Sequence, residues 1–192
     1  MMKKYIAEYA ELNALSNFSF LEGGSHPEEL IEKAAFLGYR AIALTDRNTL
    51  AGAVRFHIAA KAIGIQAIIG ARIDIEDGAN FICLPKDRNA YSRLTRLLTL
   101  GKRRARKSMC KLWRADIAEY LHGQILIILP PLSFNAPKVY VDQNKIDSEF
   151  ADELSKWVEH VPGSVYLGAS LCYREDDDSR PVSYTHLTLP PK

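Results

Sequence analysis

Apolar and polar positions alternate in two different rhythms along this chain, and the changes of rhythm mark its elements. "YIAEYAEL", residues 5–12, reads as a first strand. "GGSHPEEL" then reads as a helix start: Ser25 with Glu28 three residues on forms a capping box, and Pro27 suits the first turn. Leu30, Ile31, Ala34 and Ala35 follow at helical spacing, and Gly38 fits the position just past the helix end. "AIALT" is apolar on both faces, as expected of a buried parallel strand. After the polar corner "DRN", a second helix runs from about Leu50 to Ile63 and stops at Gly64.

"IQAIIGARIDIE" predicts a third strand, and the Asp77-Gly78 turn leads into a fourth, "NFICLP". A longer helix covers Asn89 to Lys107, with Tyr91, Leu94, Leu97 and Leu98 on its apolar side. "GQILIILP" is a further strand, and "DSEFADELSKWVEHV" an amphipathic helix whose Phe150, Leu154, Trp157 and Val158 face inward. "GSVYLGASL" closes the series, making six strands. Strands and helices alternating in this way predict an α/β fold with a largely parallel sheet, open or barrel. No internal repeat interrupts it. After "CYREDDDSR" the rhythm is lost: "PVSYTHLTLPPK", residues 181–192, has no period and two adjacent prolines. The expectation is one domain over 1–180, incomplete at its C-terminal side, and a non-native or disordered tail over 181–192.

Composition adds limits. At 192 residues and 47% hydrophobic, the chain can bury one sizeable core with little room for a second. A net charge of +2 does not identify a nucleic-acid binder; only clustering could. Cys83, Cys110 and Cys172 are far apart and form no CxxC pair, which predicts free thiols in a reducing compartment. "MMKKYIAEYAEL" lacks the apolar stretch of a signal peptide. The run "ILIILPPL", 125–132, is far short of the roughly 20 residues needed to span a bilayer. The expectation is a cytoplasmic protein with no membrane partner.

Ligands of parallel α/β folds gather at the carboxyl ends of strands. Here those corners read Asn13 and Leu15, then Asp46, Arg47 and Asn48, then Arg72. The stretches that carry these corners, "YAELNALSNFSFLEGGSHPEELIEKA" and "GYRAIALTDRNTLAGAVRFHIAAKAIGIQAIIGARI", resemble the N-terminal PHP domain (polymerase and histidinol phosphatase) of bacterial DNA polymerase III alpha-type proteins. The likeness is greatest to the error-prone branch, through "SNFSFL", "SHPEEL" and "LAG", and extends to "LPKDRNAYSRLTRLLTLGKRRARK".

That resemblance implies a distorted (β/α)7 barrel. It also implies a cluster of up to three metal ions held by a His-x-His pair ending the first strand, an Asp-His pair ending the second, a Glu after the third, and a later His and Asp-x-His. Carboxylates and imidazoles so placed polarise a phosphate and produce a hydroxide nucleophile. The chain departs from the pattern: Asn13 and Leu15 replace the two histidines, Asp46 is kept beside Arg47, and Arg72 falls near the Glu position. The final Asp-x-His would lie after "YLGASL", where the suspect tail follows; His186 in that tail is not read as a ligand. Leu15 cannot coordinate a cation, and two arginines repel divalent ions. The expectation is therefore a degenerate site with no metal, no catalytic residue, and Arg47 or Arg72 pairing with Asp46 in place of the cations.

Other motifs weigh less. Lys102, Arg103, Arg104, Arg106 and Lys107 could contact nucleic-acid phosphates, but no aromatic residue interleaves with them, and basic side chains at a helix end also complement its dipole. His26 reads as a capping or packing residue and His57 as structural. There is no phosphate-binding glycine loop, GxSxG or HExxH.

The resemblance thus implies the PHP portion of an error-prone DNA polymerase. The parent would be a nucleotidyltransferase using Mg²⁺ and DNA in translesion synthesis, DNA repair and damage-induced mutagenesis. This portion, without a cofactor of its own, would act as a scaffold for the polymerase core, with the sliding clamp and other lesion-bypass proteins as further partners. The alternatives are a metal-dependent phosphoesterase or proofreading exonuclease, and a small nucleic-acid-binding module.

Overall fold

Gly70 divides what reads in the sequence as one long third strand. In the computed structural model, which describes residues 9–129, 143–160 and 163–168, that stretch is two strands, Gln66–Ile69 and Ala71–Ile73, with different neighbours. A Cβ at Gly70 would stand 2.6 Å from the Cys83 carbonyl oxygen and 2.5 Å from a Leu84 methyl group, so only glycine lets the chain pass there. The division raises the strand count among the described residues to seven. It is a correction to the six read from periodicity, which cannot see a change of sheet within an apolar run.

The chain forms two compact units, Met1–Ile73 with Ile82–Pro85, and Asp74–Phe81 with Lys86–Lys192. In the first, β1 (Ala10–Ala14), β2 (Ala41–Leu44) and β3 (Gln66–Ile69) form a parallel sheet in the order β1-β2-β3. Every residue of the central strand β2 is buried, which is why its sequence is apolar on both faces. In β1 the register jumps from Glu11↔Ile42 to Ala14↔Leu44, so that Leu12 and Asn13 together lie opposite Ala43.

Helices α1 (Pro27–Phe36) and α2 (Ala53–Ile63) complete this layer. Ile31 and Ala34 of α1 and Phe56 and Ala60 of α2 pack on Ile42 and Leu44. Each large apolar side chain buried there contributes about 1.5–3 kcal/mol. The helix ends follow from single residues. Gly38 (φ +73°) and Gly64 (φ +86°) take the left-handed conformation that stops α1 and α2. The start of α1 is a correction by one residue: Pro27 occupies the first helical position, so His26 is the cap, and its amide donates to Glu29 at 2.7 Å instead of a Ser25–Glu28 box forming. The second helix starts at Ala53, three residues later than its apolar period suggests. Beyond β3, strand β4 (Ala71–Ile73) lies beside β5 (Phe81–Pro85).

In the second unit, Asp87 caps helix α3 (Arg88–Arg104) by accepting from the Ala90 amide at 2.7 Å. Leu94, Leu97 and Leu98 are buried as their spacing predicts, whereas Tyr91 is exposed. After the short helix α4 (Arg114–Ile117) and a 3₁₀ turn (Ala118–Tyr120), strand β6 (Gln124–Ile128) buries alternate residues and pairs in parallel with β7 (Val165–Leu167). Helix α5 (Gln143–His160) buries Phe150, Leu154 and Trp157, the last with its ring 5.4 Å from that of Phe81. Glu153 of α5 accepts from the Ala79 amide at 2.7 Å and pairs with Arg114 at 2.9 Å.

The result is a mixed α/β fold, and among the described residues neither sheet closes on itself. The stretch 181–192 and His186 lie outside the described residues. No helix among those described is long and apolar enough to cross a membrane.

Candidate functional site at the ends of strands β1 and β2

The chain leaves β1 at Ala14 and, within two residues, turns so that Ser16 is buried. It leaves β2 at Leu44, and Asp46, two residues further, is 1% exposed. These two exits are joined. The Ser16 amide donates to one oxygen of the Asp46 carboxylate at 2.7 Å and the Ser16 hydroxyl to the other at 2.7 Å. The Ser19 hydroxyl adds a third bond to the first oxygen, also at 2.7 Å. Three short bonds replace the water that burial removes.

The loop is shaped for this. The Ser19 amide donates to the Ser16 carbonyl at 2.9 Å, and the Gly23 amide to the Ser19 carbonyl at 2.9 Å. Gly23 lies so close that a Cβ there would be 2.2 Å from the Ser16 carbonyl oxygen. The Ser19 hydroxyl also accepts from the Arg47 amide at 3.0 Å, which ties the loop to the residue after Asp46.

The arginines do not take the place expected of them. Asp46 is satisfied by serines, and the guanidinium groups of Arg47 and Arg72 both close on Glu22. Arg47 reaches it at 3.1 Å and Arg72 at 2.8 Å. Their backbones are neighbours in a parallel bridge, and the Arg72 amide donates to the Asp46 carbonyl at 3.2 Å. A carboxylate between two cations that the backbone holds side by side relieves their repulsion, whereas the buried Asp46 is out of their way. Asn13 sits in β1 with its backbone N–H donating to the Glu11 carboxylate at 2.7 Å, and Leu15 follows the strand half-buried. His26 is exposed at the start of α1, and His57 is exposed on α2.

Asp46, Arg47 and Arg72 thus meet at one corner, with Asn13 and Leu15 at the end of the adjacent strand, and Ser16, Ser19 and Glu22, which the sequence reading did not single out, join them. The signal was there: "SNFSFLE" places a hydroxyl, a hydroxyl and a carboxylate at intervals of three just past a strand end. Among the described residues no three His, Cys, Asp or Glu side chains come together as metal ligands would.

The family model described as the PHP domain matches residues 11–169. This chain belongs to the PHP domain family. Its relatives include an error-prone DNA polymerase of Caulobacter vibrioides, 42% identical over 173 residues, and one of Methylococcus capsulatus, 47% identical over 175 residues. These matches cover 90% and 91% of this chain but 15% of each relative, so the chain spans about one-seventh of their length. Two solved structures share the PHP chain's fold at 13% and 15% sequence identity. One is a Bifidobacterium adolescentis protein assigned as a metal-dependent phosphoesterase (TM-score 0.55, covering 94% of this chain and 84% of that one). The other is an amidohydrolase from Chromobacterium violaceum (TM-score 0.57, covering 92% and 83%).

The basic residues singled out in the sequence belong to the second unit. Lys102, Arg103 and Arg104 form the last turn of α3, and Arg106 and Lys107 follow it, exposed. Arg104 is engaged: it donates to Asp116 at 2.6 Å and lies 5.6 Å above the Trp113 ring. Burial would push the Asp116 carboxyl up, but the Arg104 guanidinium and the Trp113 amide outweigh it and hold the group below its ordinary value. Cys83 is fully buried, and burial pushes its thiol well up; Cys110, half-buried, is raised by the same cause. Neither has the lowered thiol of a nucleophile.

Proposed function

We propose that this chain is the PHP portion of an error-prone, alpha-subunit-type DNA polymerase and serves that enzyme as a structural scaffold. The observation that carries the reading is the Asp46 carboxylate, whose two oxygens are both occupied by Ser16 and Ser19 donors. A carboxylate held this way staples one strand exit to another. It has little left to offer a divalent ion, and Glu22, the other acid at this corner, is held by two arginines. Asn13, Leu15, Arg47 and Arg72 do not make up the donor set that a cluster of cations requires. No step of chemistry is therefore routed through a metal here.

In the parent enzyme the reaction would be template-directed nucleotidyl transfer with Mg²⁺, in lesion bypass and damage-induced mutagenesis, carried by residues outside this chain. The high identity to error-prone DNA polymerases over 90% of the chain supports this parent. The scaffold role is supported by large apolar side chains left in the open on the first unit: Phe20 (84% exposed), Leu21 (89%) and Phe36 (82%). The polymerase core is the partner that would cover them, and the (β/α)7 barrel belongs to this same reading. Purified chain dialysed against Mn²⁺ or Zn²⁺ should retain no stoichiometric metal on elemental analysis and hydrolyse no phosphoester substrate. Stoichiometric metal lost on Asp46→Asn, with phosphoesterase activity lost alongside it, would replace the scaffold by an enzyme.

A further inference from the structure

From Arg88 to Lys111 the sequence carries nine basic side chains and no carboxylate, in a chain whose net charge is only +2. Helix-dipole complementation accounts for the last turn of α3, where Lys102, Arg103 and Arg104 lie. It does not account for Arg93 and Arg96, which stand beyond the reach of either helix end, nor for Arg88 in the first turn, where the dipole disfavours cations and no acidic residue is present. Arg93 is used within the fold, donating to the His122 carbonyl at 2.7 Å, and Arg104 pairs with Asp116. Arg96 and Arg103 remain exposed and, among the described residues, engage no carboxylate. They lie seven residues apart on one face of α3, two turns or roughly 10 Å along the axis.

Between that face and the 3₁₀ turn is a cavity of about 560 Å³ whose lining includes Arg96, Thr99, Leu100, Arg103 and Tyr120. Arg104 and Thr95 line it as well, Arg104 already paired with Asp116, so its chemistry is divided: the guanidinium groups of Arg96 and Arg103 and the threonine hydroxyls for phosphates, an aliphatic side chain and a phenol ring for a flat apolar surface. The aromatic residue absent from the basic cluster 102–107 is thus supplied by the fold from Tyr120. A duplex, which presents phosphates with its bases stacked inside, has no use for the Leu100–Tyr120 portion; an unpaired strand uses both.

We propose that this groove is a contact surface for single-stranded DNA, in which Arg96 and Arg103 hold phosphates of one strand and a base lies against Tyr120. The proposal goes beyond the scaffold reading and stands whether or not the strand-end corner binds metal. The DNA-polymerase identity of the relatives favours DNA over RNA.

The test is fluorescence anisotropy of a labelled oligothymidine with the 192-residue chain across a range of salt concentrations, with unlabelled heparin and an oligouridine as competitors. Affinity should fall with salt. Arg96→Ala with Arg103→Ala should weaken it at least tenfold and lower the log–log salt slope by about 1.4, the contribution of two phosphates on a single strand. Tyr120→Leu should weaken oligothymidine binding roughly tenfold and leave heparin binding unchanged, because heparin has charge but no bases. Lys33→Ala with Lys61→Ala, basic positions of the first unit, should change neither, and circular dichroism should show every variant folded. An unchanged slope in the double arginine variant, an equal loss for heparin on Tyr120→Leu, no binding at low salt, or tighter binding of oligouridine would each overturn the proposal.

Discussion

Ser16 holds Asp46 with both its backbone and its side chain, amide to one carboxylate oxygen and hydroxyl to the other, each at 2.7 Å. The two residues are thirty positions apart and stand at the exits of adjacent parallel strands. With the Ser19 hydroxyl, this closes a buried polar network in which the carboxyl group of Asp46 meets neutral donors alone. The network fastens the two strand exits to each other.

Removing the acceptor should cost more than removing a donor. Asp46→Ala leaves three buried donors unsatisfied and should destabilise the chain by about 3–5 kcal/mol in urea denaturation. Ser16→Ala and Ser19→Ala should each cost about 1.5–3 kcal/mol. Asp46 and Ser16 should be strongly non-additive in a double-mutant cycle, whereas Asp46 and Arg47 should be nearly additive, because the Arg47 guanidinium is directed at Glu22. Strong coupling between Asp46 and Arg47 would restore the ion pair expected from the sequence.

Glu22 is expected to act as a modest electrostatic tie. The Arg47 side chain is 52% exposed and its share is mostly screened; the Arg72 side chain, 18% exposed, carries more of the effect. Glu22→Gln should cost about 1 kcal/mol at low ionic strength and less in high salt, where the repulsion between the two arginines is also screened. Thermal melts at two salt concentrations measure this. A loss that does not shrink with salt would mean that packing, not charge, is what Glu22 supplies.

Two adjacent glycines should respond in opposite ways to the same methyl group. At Gly23 a Cβ would collide with the Ser16 carbonyl oxygen at 2.2 Å, while at Gly24 nothing lies within 4 Å. Gly23→Ala should therefore destabilise by about 1–3 kcal/mol and loosen the loop that delivers Ser16 and Ser19. Gly24→Ala should fall within about 0.5 kcal/mol of the parent chain. Equal unfolding midpoints for the two variants would contradict this account of the loop.

Tyr9 provides an alkaline pH dependence. Its hydroxyl donates to Glu11 at 2.8 Å, and this bond, with burial and the Glu11 charge, pushes its pKa up to about 12. The folded state thus favours the neutral phenol. The stabilisation is fully present below the ordinary tyrosine value of about 10 and is lost as the pH rises through about 12. Half-exposure keeps the effect small. Ultraviolet difference titration against Tyr9→Phe should show the late-titrating group, and Glu11→Gln should bring it back toward the ordinary value. A Tyr9 titration indifferent to Glu11→Gln would count against the bond.

Much of this protein was decided by residues acting on their immediate neighbours. Pro27, Gly38 and Gly64 each impose or permit one backbone conformation, and they fixed the ends of α1 and α2 to within a few residues. The spacing of Leu94, Leu97 and Leu98 fixed the buried face of α3, and the all-apolar β2 announced a strand covered on both sides. Family membership was legible as well, since it rests on the order of residues alone.

The tertiary structure decided what depends on partners distant in sequence. Apolar rhythm continues through Gly70, and only the approach of Cys83 and Leu84 divides the strand there. Asp46 in isolation is an acid beside an arginine, so an ion pair is the natural reading; in the folded chain Ser16 and Ser19 hold it and the arginines pair with Glu22. Tyr120 likewise joins Arg96 and Arg103 only across a turn of the folded chain. Periodicity records which side of an element is dry, whereas the choice among polar partners is made by the loop geometry that delivers one donor ahead of another.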